Sequence, residues 1–262
     1  MKAIILCAGF GSRLGELGKK NSKALFNIAG QPLINWIVGP LINLDFVEEV
    51  IVLHNQLFKY NFEHWLEGLE DKRKISLINN GVSRNEDRIG AIGDVERVLR
   101  LKSIYSPVVL FPGDTVFTFD VKKFFYEIKR NPENGWLSLR TETSESKRRK
   151  CGVVGIGESG KITSFEEKPK VSTEELVYKG PCYLPPTITK ILTTYCSSLS
   201  SAGDLPDNIG SFLEWATAKF IFKGCIMRSG ECIDVGSLSD YRVASGRIKR
   251  SLGEEHGEGY ML

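Results

Sequence analysis

Apolar residues fall along the chain in two alternating patterns, short unbroken runs and longer one-sided stripes. The runs Lys2-Ala-Ile-Ile-Leu-Cys7, Glu49-Val-Ile-Val-Leu53, Lys74-Ile-Ser-Leu-Ile78, Val108-Val-Leu-Phe111 and Gly135-Trp-Leu-Ser-Leu139 are bounded by charges or turn residues. All five read as strands; the first, second and fourth are of the type buried on both faces, as in a parallel sheet, while Lys74-Ile-Ser-Leu-Ile78 alternates or runs apolar. After Gln31-Pro32, Leu33, Ile37, Leu41 and Leu44 recur at helical spacing and predict an amphipathic helix with the proline in its first turn. Phe58, Phe62, Trp65, Leu66 and Leu69 predict a second helix ending near Gly68, Val95-Glu-Arg-Val-Leu-Arg-Leu101 a third, and residues 121–130, capped by Asp120, a fourth. Strand and helix alternate, which implies parallel β-α-β units whose ligands bind in the crevice beyond the strands' carboxyl ends. The pattern then changes. Cys151-Gly-Val-Val-Gly-Ile156 and Lys161-Ile-Thr-Ser-Phe165, joined through Glu158-Ser-Gly160, predict a β-hairpin running into Glu166-Glu-Lys-Pro169. Helical spacing returns between Pro186 and Leu192, between Ile209 and Lys219, where Phe212, Trp215 and Ala216 read as core, and from Ser237 and Asp240 into the basic segment Arg247 to Arg250.

Composition narrows the class. A chain of 262 residues that is 42% hydrophobic can bury a full core, here one α/β unit over 1–250 with a nucleotide half of about 1–135 and a second half of about 136–250. The polar, glycine-rich tail, 251–262, is expected to be mobile or to contact a neighbouring subunit of a homo-oligomer. Net charge is only +3, and acids and bases are mixed along the chain, which argues against a nucleic-acid partner. Lys147-Arg-Arg-Lys150, beside Glu142 and Glu145, reads as a solvated loop. The six cysteines are far apart, without Cys-x-x-Cys or a Cys/His cluster, so they read as reduced thiols rather than zinc ligands or disulfides. The chain opens directly on a core strand and carries no bilayer-length apolar run, so no membrane partner and a cytoplasmic location are expected.

The candidate chemistry follows the first strand. In Ala8-Gly-Phe-Gly-Ser-Arg-Leu-Gly15, Gly9 and Gly11 allow left-handed angles and close backbone approach to a bulky anion, and Arg13 adds a bidentate cation. Lys23, in Ser22-Lys-Ala-Leu25, offers a second cation on a flexible stem. A dinucleotide fingerprint is excluded, since Leu14 stands where its third glycine belongs, and no Walker A string occurs. A phosphate cradle and a plain strand-to-helix turn remain. Pro112-Gly-Asp114 delivers a carboxylate to the same crevice, where a Mg²⁺ ligand, an Asx turn or a helix cap would each suit it. Gly90 and Gly93 precede a helix, with Asp94 and Glu96 near its positive dipole end.

Taken in order, Leu6-Cys-Ala-Gly-Phe-Gly-Ser-Arg-Leu14, Lys23-Ala-Leu25, Gly30-Gln-Pro-Leu-Ile34, Gly-Asp114, Glu-Lys-Pro169 and Asp234-Val-Gly236 resemble the motifs of the sugar-1-phosphate nucleotidylyltransferases, or NDP-sugar pyrophosphorylases. The resemblance spans nearly the whole chain. With the alternation of elements, it implies a Rossmann-like three-layer αβα sandwich, α/β in class, with a mixed, mainly parallel central sheet and a small acceptor-side β insertion. It implies that Ala8, Gly9, Gly11, Ser12, Arg13 and Lys23 hold the nucleoside triphosphate and that Gly90, Ala91 and Gly93 sit against its base. Gly152 would line the sugar pocket, Glu167 would bond a sugar hydroxyl and Lys168 would pair with the acceptor phosphate. Asp114 and Asp234 would hold Mg²⁺, with Arg13, Lys23 and Lys168 as catalytic cations. The implied reaction joins a nucleoside triphosphate to a sugar 1-phosphate, giving an NDP-sugar and pyrophosphate. The sequence leaves room for another phosphorylated polyol or alcohol as acceptor, or for a non-catalytic relative that binds nucleotide sugars. Several positions depart from the family pattern: Ser22 and Ala24 replace prolines, Cys151 replaces an aromatic residue, and Tyr178-Lys-Gly-Pro-Cys-Tyr183 replaces an Asn-Ala-Gly string. Lys179 and Pro181 would reshape the acceptor side, while Asn85, Glu86 and Arg88 leave the base open.

Overall fold

The structure, a computed structural model, describes residues 1–205 and 207–251, so the tail singled out above lies outside the described residues except for Ser251. In the first half, β1 (Lys2–Cys7) leads through α1 (Glu16–Lys20) and a ribbon of β2 (Asn27–Ile28) and β3 (Gln31–Pro32) to α2 (Asn35–Ile42). Then come β4 (Glu49–His54), α3 (Lys59–Glu67), β5 (Ile75–Asn79), α4 (Ala91–Leu101), β6 (Val108–Pro112), β7 (Thr115–Phe117) and α5 (Val121–Arg130). The second half runs β8 (Gly135–Thr141), α6 (Glu145–Arg148), β9 (Gly152–Ile156), β10 (Ile162–Glu167), β11 (Leu176–Leu184), α7 (Pro186–Thr189), α8 (Leu192–Ala202), α9 (Ile209–Thr217), β12 (Phe222–Ile226), β13 (Cys232–Asp234) and α10 (Leu238–Ser251).

β1 pairs in parallel with β4 and β6, so these three apolar runs occupy the centre of the sheet, while β5, parallel to β4, is an edge strand in which only Ile75 is buried. β11 joins the halves, antiparallel to β6, β8 and β9, while β12 extends β8 in parallel and β10 closes the predicted hairpin with β9. Followed through these pairings, β1, β4, β5, β6, β8, β9 and β12 point one way, and β10 and β11 the other. The nine-stranded sheet is therefore mixed and mainly parallel.

Period-two alternation of the strand side chains fills two cores. Ala3, Ile5 and Cys7 face Ile37, Phe62, Phe124 and Ile248 of the helices on one side. Ile4 joins Ile92, Val95, Leu192 and Phe212 on the other. This is the three-layer αβα arrangement, and burying both faces is what makes the strand sequences apolar without interruption.

Four local expectations are corrected. Pro32 lies not in a helix but in β3, opposite Asn27, and α2 begins at Asn35. The helix expected from Pro186 to Leu192 is broken into α7 and α8, which runs on to Ala202. In the glycine loop, Gly11 takes the left-handed conformation, φ 62°, but Gly9 does not. Nor is Lys147-Arg-Arg-Lys150 wholly solvated: Arg148 is buried, and Nη1 donates to the carbonyls of Glu142 and Thr143 at 3.0 and 2.7 Å and Nη2 to that of Ser172 at 3.3 Å. Its guanidinium satisfies loop carbonyls that no strand reaches. The six cysteines are free thiols, and no helix among the described residues is long and apolar enough to cross a membrane.

Candidate active site

The loop after β1 is fixed from below. Asn55, fully buried at the end of β4, donates from Nδ2 to the Ala8 carbonyl at 3.0 Å and accepts the Phe58 N–H at 3.0 Å. That bridge ties the tip of β1 to the start of α3. Beyond Ala8, Gly11 turns the chain into a short turn, Ser12–Leu14, whose Leu14 is buried while Arg13 stays exposed. The Lys23 stem lies along this loop, its Cε 3.9 Å from where a Cβ on Gly9 would be. Its ammonium donates directly to Asp114 Oδ2.

Asp114 is pressed against the end of β1. Gly113 donates to the Leu6 carbonyl at 3.1 Å, and a Cβ on Gly113 would stand 2.5 Å from both that oxygen and Cys7 Sγ. Only glycine permits this approach. Burial pushes the Cys7 thiol up, so it serves as a packed neutral group.

Asp234 reaches the same place from the far end of the chain. β13 pairs antiparallel with β7, setting Asp234 opposite Thr115. Thr115 Oγ1 donates to Asp234 Oδ1 at 2.9 Å and stands 3.4 Å from Asp114 Oδ1, while the Val235 N–H donates to the Asp114 carbonyl at 2.8 Å. Arg13 closes the group, its Nη1 and Nη2 each 3.7 Å from where a Cβ on Gly236 would lie. Water still reaches Asp234, whose side chain is 60% exposed at the crevice floor. Surrounding protein nevertheless raises its pKa above the ordinary carboxylate value through desolvation, opposed by Lys179 and reinforced by the Asp114 charge. The two carboxylates thus sense each other across Thr115. Their hard oxygen donors and mutual repulsion suit a divalent cation, and Mg²⁺ commonly uses only one or two protein carboxylates. Among the described residues, no larger His/Cys/Asp/Glu cluster competes for that role.

On the hairpin side, β10 ends at Glu167 and Lys168 takes a left-handed φ of 52°, its N–H donating to the Cys151 carbonyl at 3.0 Å. The Lys168 ammonium lies 3.3 Å from Glu167 Oε1. The Glu167 carboxylate fills the gap between Gly152 and Gly210, where a Cβ would come within 3.2 and 2.0 Å of it, respectively. Burial is the main influence raising its pKa, with Lys168 opposing and Glu214 adding. Gly152, Glu167 and Lys168 therefore meet. Gly210, near the start of α9 and behind the Asn208 cap, joins them from a segment whose sequence signalled only a helix start.

At the expected base turn, Gly90 has φ 81°, but α4 begins at Ala91, so Gly93 is a residue of the helix's first turn rather than part of a loop. The Ala91 N–H donates to the Asp207 carbonyl at 2.9 Å, and Arg88 Nε lies 3.6 Å from Asp207 Oδ1. Asp94 does not face solvent near the dipole end. It is 7% exposed and accepts from Asn80 Nδ2 at 2.9 Å, while Asn80 Oδ1 accepts the Val82 N–H at 2.9 Å.

A Rossmann-like α/β sheet thus carries a glycine loop after β1, with Asp114 just beyond its neighbour β6 and Asp234 brought in on β13 of a separate ribbon, in the crevice where such sheets bind ligands. The family profile described as "Nucleotidyl transferase" matches residues 2–251, and the chain belongs to that family, among its sugar-1-phosphate nucleotidyltransferases. The bifunctional protein GlmU of Methanococcus maripaludis is 27% identical over 217 residues, 82% of this chain and 47% of the relative. Mannose-1-phosphate guanylyltransferase 1 of Arabidopsis thaliana is 25% identical over 92% of this chain and 63% of its own length. The chain thus spans about half of GlmU and under two thirds of the plant protein. Among solved structures, a putative glucose-1-phosphate thymidylyltransferase from Bacillus anthracis superposes with TM-score 0.78 over 99% of this chain and 98% of its own, at 21% identity. UDP-glucose pyrophosphorylase complexed with UDP-glucose gives 0.76 over 95% and 98%, at 17% identity.

Proposed function

We propose that the protein transfers a nucleotidyl group from a nucleoside triphosphate to a sugar 1-phosphate, releasing pyrophosphate. The observation that carries this reading is the convergence of Arg13, Lys23, Asp114 and Asp234, from four separate parts of the chain, on one crevice beyond β1 and β6. Backbone N–H groups of the glycine loop, with Arg13 and Lys23, would bind the triphosphate. Lys168 would hold the acceptor phosphate and Glu167 a hydroxyl of its sugar. An acceptor phosphate oxygen, already deprotonated at neutral pH, would attack the α-phosphorus in line. The bond from that phosphorus to the bridging oxygen then breaks, and pyrophosphate leaves with the electron pair. No covalent enzyme intermediate or general base is required, so the work of these side chains is positioning and charge neutralisation. Asp114 and Asp234 would hold a Mg²⁺ ion, which when bound supplies Lewis-acid charge neutralisation to the phosphoryl oxygens.

A matrix of nucleoside triphosphates against sugar and polyol 1-phosphates, read by product mass and pyrophosphate release, tests this directly. One productive pair with a nucleoside-diphosphate sugar as product is the expected result. Binding without turnover for every pair would instead favour a non-catalytic role. On the acceptor side, Gly210→Ala must displace the Glu167 carboxylate. It is expected to raise the acceptor KM about thirtyfold, roughly 2 kcal/mol, with the nucleotide KM within about twofold of wild type. An unchanged acceptor KM would remove Glu167 from the sugar pocket.

A further inference from the structure

β11 changes neighbours at one point. Its first part pairs with β9, Tyr178 opposite Gly152, and its last part with β6, Cys182 opposite Leu110. β8 accompanies both parts, with Leu139 opposite Tyr178 and Leu137 opposite Cys182. Only Ser138 lies between those two β8 positions, whereas Lys179, Gly180 and Pro181 lie between their β11 partners, so the strand bulges. Gly180 makes the bulge possible: its φ is 102°, and a Cβ there would stand 3.2 Å from a Phe117 ring carbon and 3.3 Å from Ser138 Oγ. Bulges of this kind re-aim side chains beside functional sites. Here the effect is to turn Lys179 into the gap left between the end of β6 and the beginning of β9. Its Nζ lies 3.9 Å from Asp234 Oδ2, and its charge is felt by Cys151, next to Gly152.

This ammonium is under-used. Its side chain is only 20% exposed, and the contact with Asp234, at 3.9 Å, is an ion pair too long to be a hydrogen bond. Among the described residues none of its three N–H donors meets an acceptor at hydrogen-bond distance. Lys23, by contrast, donates directly to Asp114, and Lys168 is 56% exposed. A partly desolvated cation with unspent donors, held on a bulge at the floor of the crevice, is suited to receiving an anionic oxygen. If a divalent cation occupied Asp234, Lys179 would lose the one carboxylate it pairs with among the described residues.

We infer that Lys179 is a substrate-binding cation that takes an anionic oxygen of the acceptor, at the β11 end of the crevice. This rests on the nucleotidyl-transfer reading of the site. The oxygen can belong to the reacting phosphate or to a second acidic group on the sugar, and the choice of acceptors separates the two. The full chain and its Lys179→Met and Lys179→Arg variants would be assayed with glucose 1-phosphate and with glucuronic acid 1-phosphate, using the nucleotide identified in the matrix. Lys179→Met is expected to lower kcat/KM for acceptor by about tenfold or more, as for the loss of one charge-assisted contact. The nucleotide KM should stay within about twofold of wild type, and Lys179→Arg should recover most of the loss, which a purely structural lysine would not produce. Equal losses with both acceptors assign the contact to the reacting phosphate, and a loss confined to the uronic acid assigns it to the carboxylate. Acceptor kinetics unchanged with both overturn the inference. Calorimetric titration of wild type and Lys179→Met with the same two acceptors, each in the presence in turn of non-hydrolysable analogues of ATP, GTP, CTP, UTP and dTTP, reads the contact without turnover. Weaker binding by the variant sustains the role of Lys179 even if wild type transfers nothing, which would refute the catalytic reading alone. Equal affinity, or no binding by either protein, overturns it.

Discussion

Asp114→Asn is expected to lower turnover by about three powers of ten, roughly 4 kcal/mol of transition-state stabilisation, while shifting the thermal midpoint by only a few degrees. The asparagine keeps the shape of the side chain and an oxygen near Thr115 Oγ1, so packing against Gly113 and β1 survives. What disappears is the charge. Lys23 loses its direct partner, and the proposed metal loses one of two anionic ligands. The small stability effect follows from exposure, since Asp114 is 34% accessible and solvent screens its pair with Lys23. Steady-state kinetics across a Mg²⁺ titration separates two explanations. If Asp114 merely anchors Lys23, then Asp114→Asn and Lys23→Met should cost the same, the double variant should be no worse, and the Mg²⁺ requirement should not move. If it binds the ion, only Asp114→Asn should shift Mg²⁺ saturation to higher concentration. Near-normal turnover of Asp114→Asn at ordinary Mg²⁺ would remove this carboxylate from the metal site.

How much of this was readable from the chain depends on whether the determining interactions are local. The runs of β1, β4 and β6 were legible because burial on both faces demands apolar residues at every position, and the hairpin of β9 and β10 because its turn carries Glu158-Ser-Gly160. Asp114 was legible as a carboxylate at the end of an apolar strand, and Asp234 only through its motif Asp234-Val-Gly236. Their meeting is made by β7 and β13, each three residues long and too short to leave a pattern. Glu167 illustrates the same limit: its carboxylate sits against Gly210, and nothing in the spacing of either residue announces the other. Lys179 stood out as a departure from the expected Asn-Ala-Gly string, yet its aim comes from a register shift that exists only once β11 is paired with three strands. Arg148 misled because a basic run reads as solvated, and the three carbonyls that bury it come from loops separated in sequence.

Asp94 is the residue whose environment inverts its apparent role, and Asp94→Asn is expected to stabilise the protein by about 3 kcal/mol at neutral pH. A carboxylate in the first turn of a helix normally gains from the positive dipole end. Here burial dominates, lifting its pKa from 3.8 to about 6, with the Asn80 hydrogen bond and the Arg97 charge only partly opposing the shift. For an acid raised in this way, the folded state holds the proton more tightly than the unfolded state. The stabilisation is therefore complete below the unfolded value of 3.8 and is lost as pH rises through about 6. Above that, the fold carries a buried charge that an asparagine would not impose. The variant's own carbonyl can still accept from Asn80 Nδ2, so the link between β5 and α4 is kept. Burial also raises Glu167 and Asp234, which contribute slopes of the same sign, so the informative quantity is the difference between the two proteins. Thermal unfolding from pH 4 to 8 should show nearly equal midpoints at the acid end. The gap should open between about pH 4 and 6 and reach on the order of 6 °C or more for a chain of this size. Parallel curves, or an advantage for the variant that shrinks as pH rises, would mean that Asp94 is held as a well-solvated anion despite its burial, and that the Asn80 contact rather than desolvation governs this end of α4.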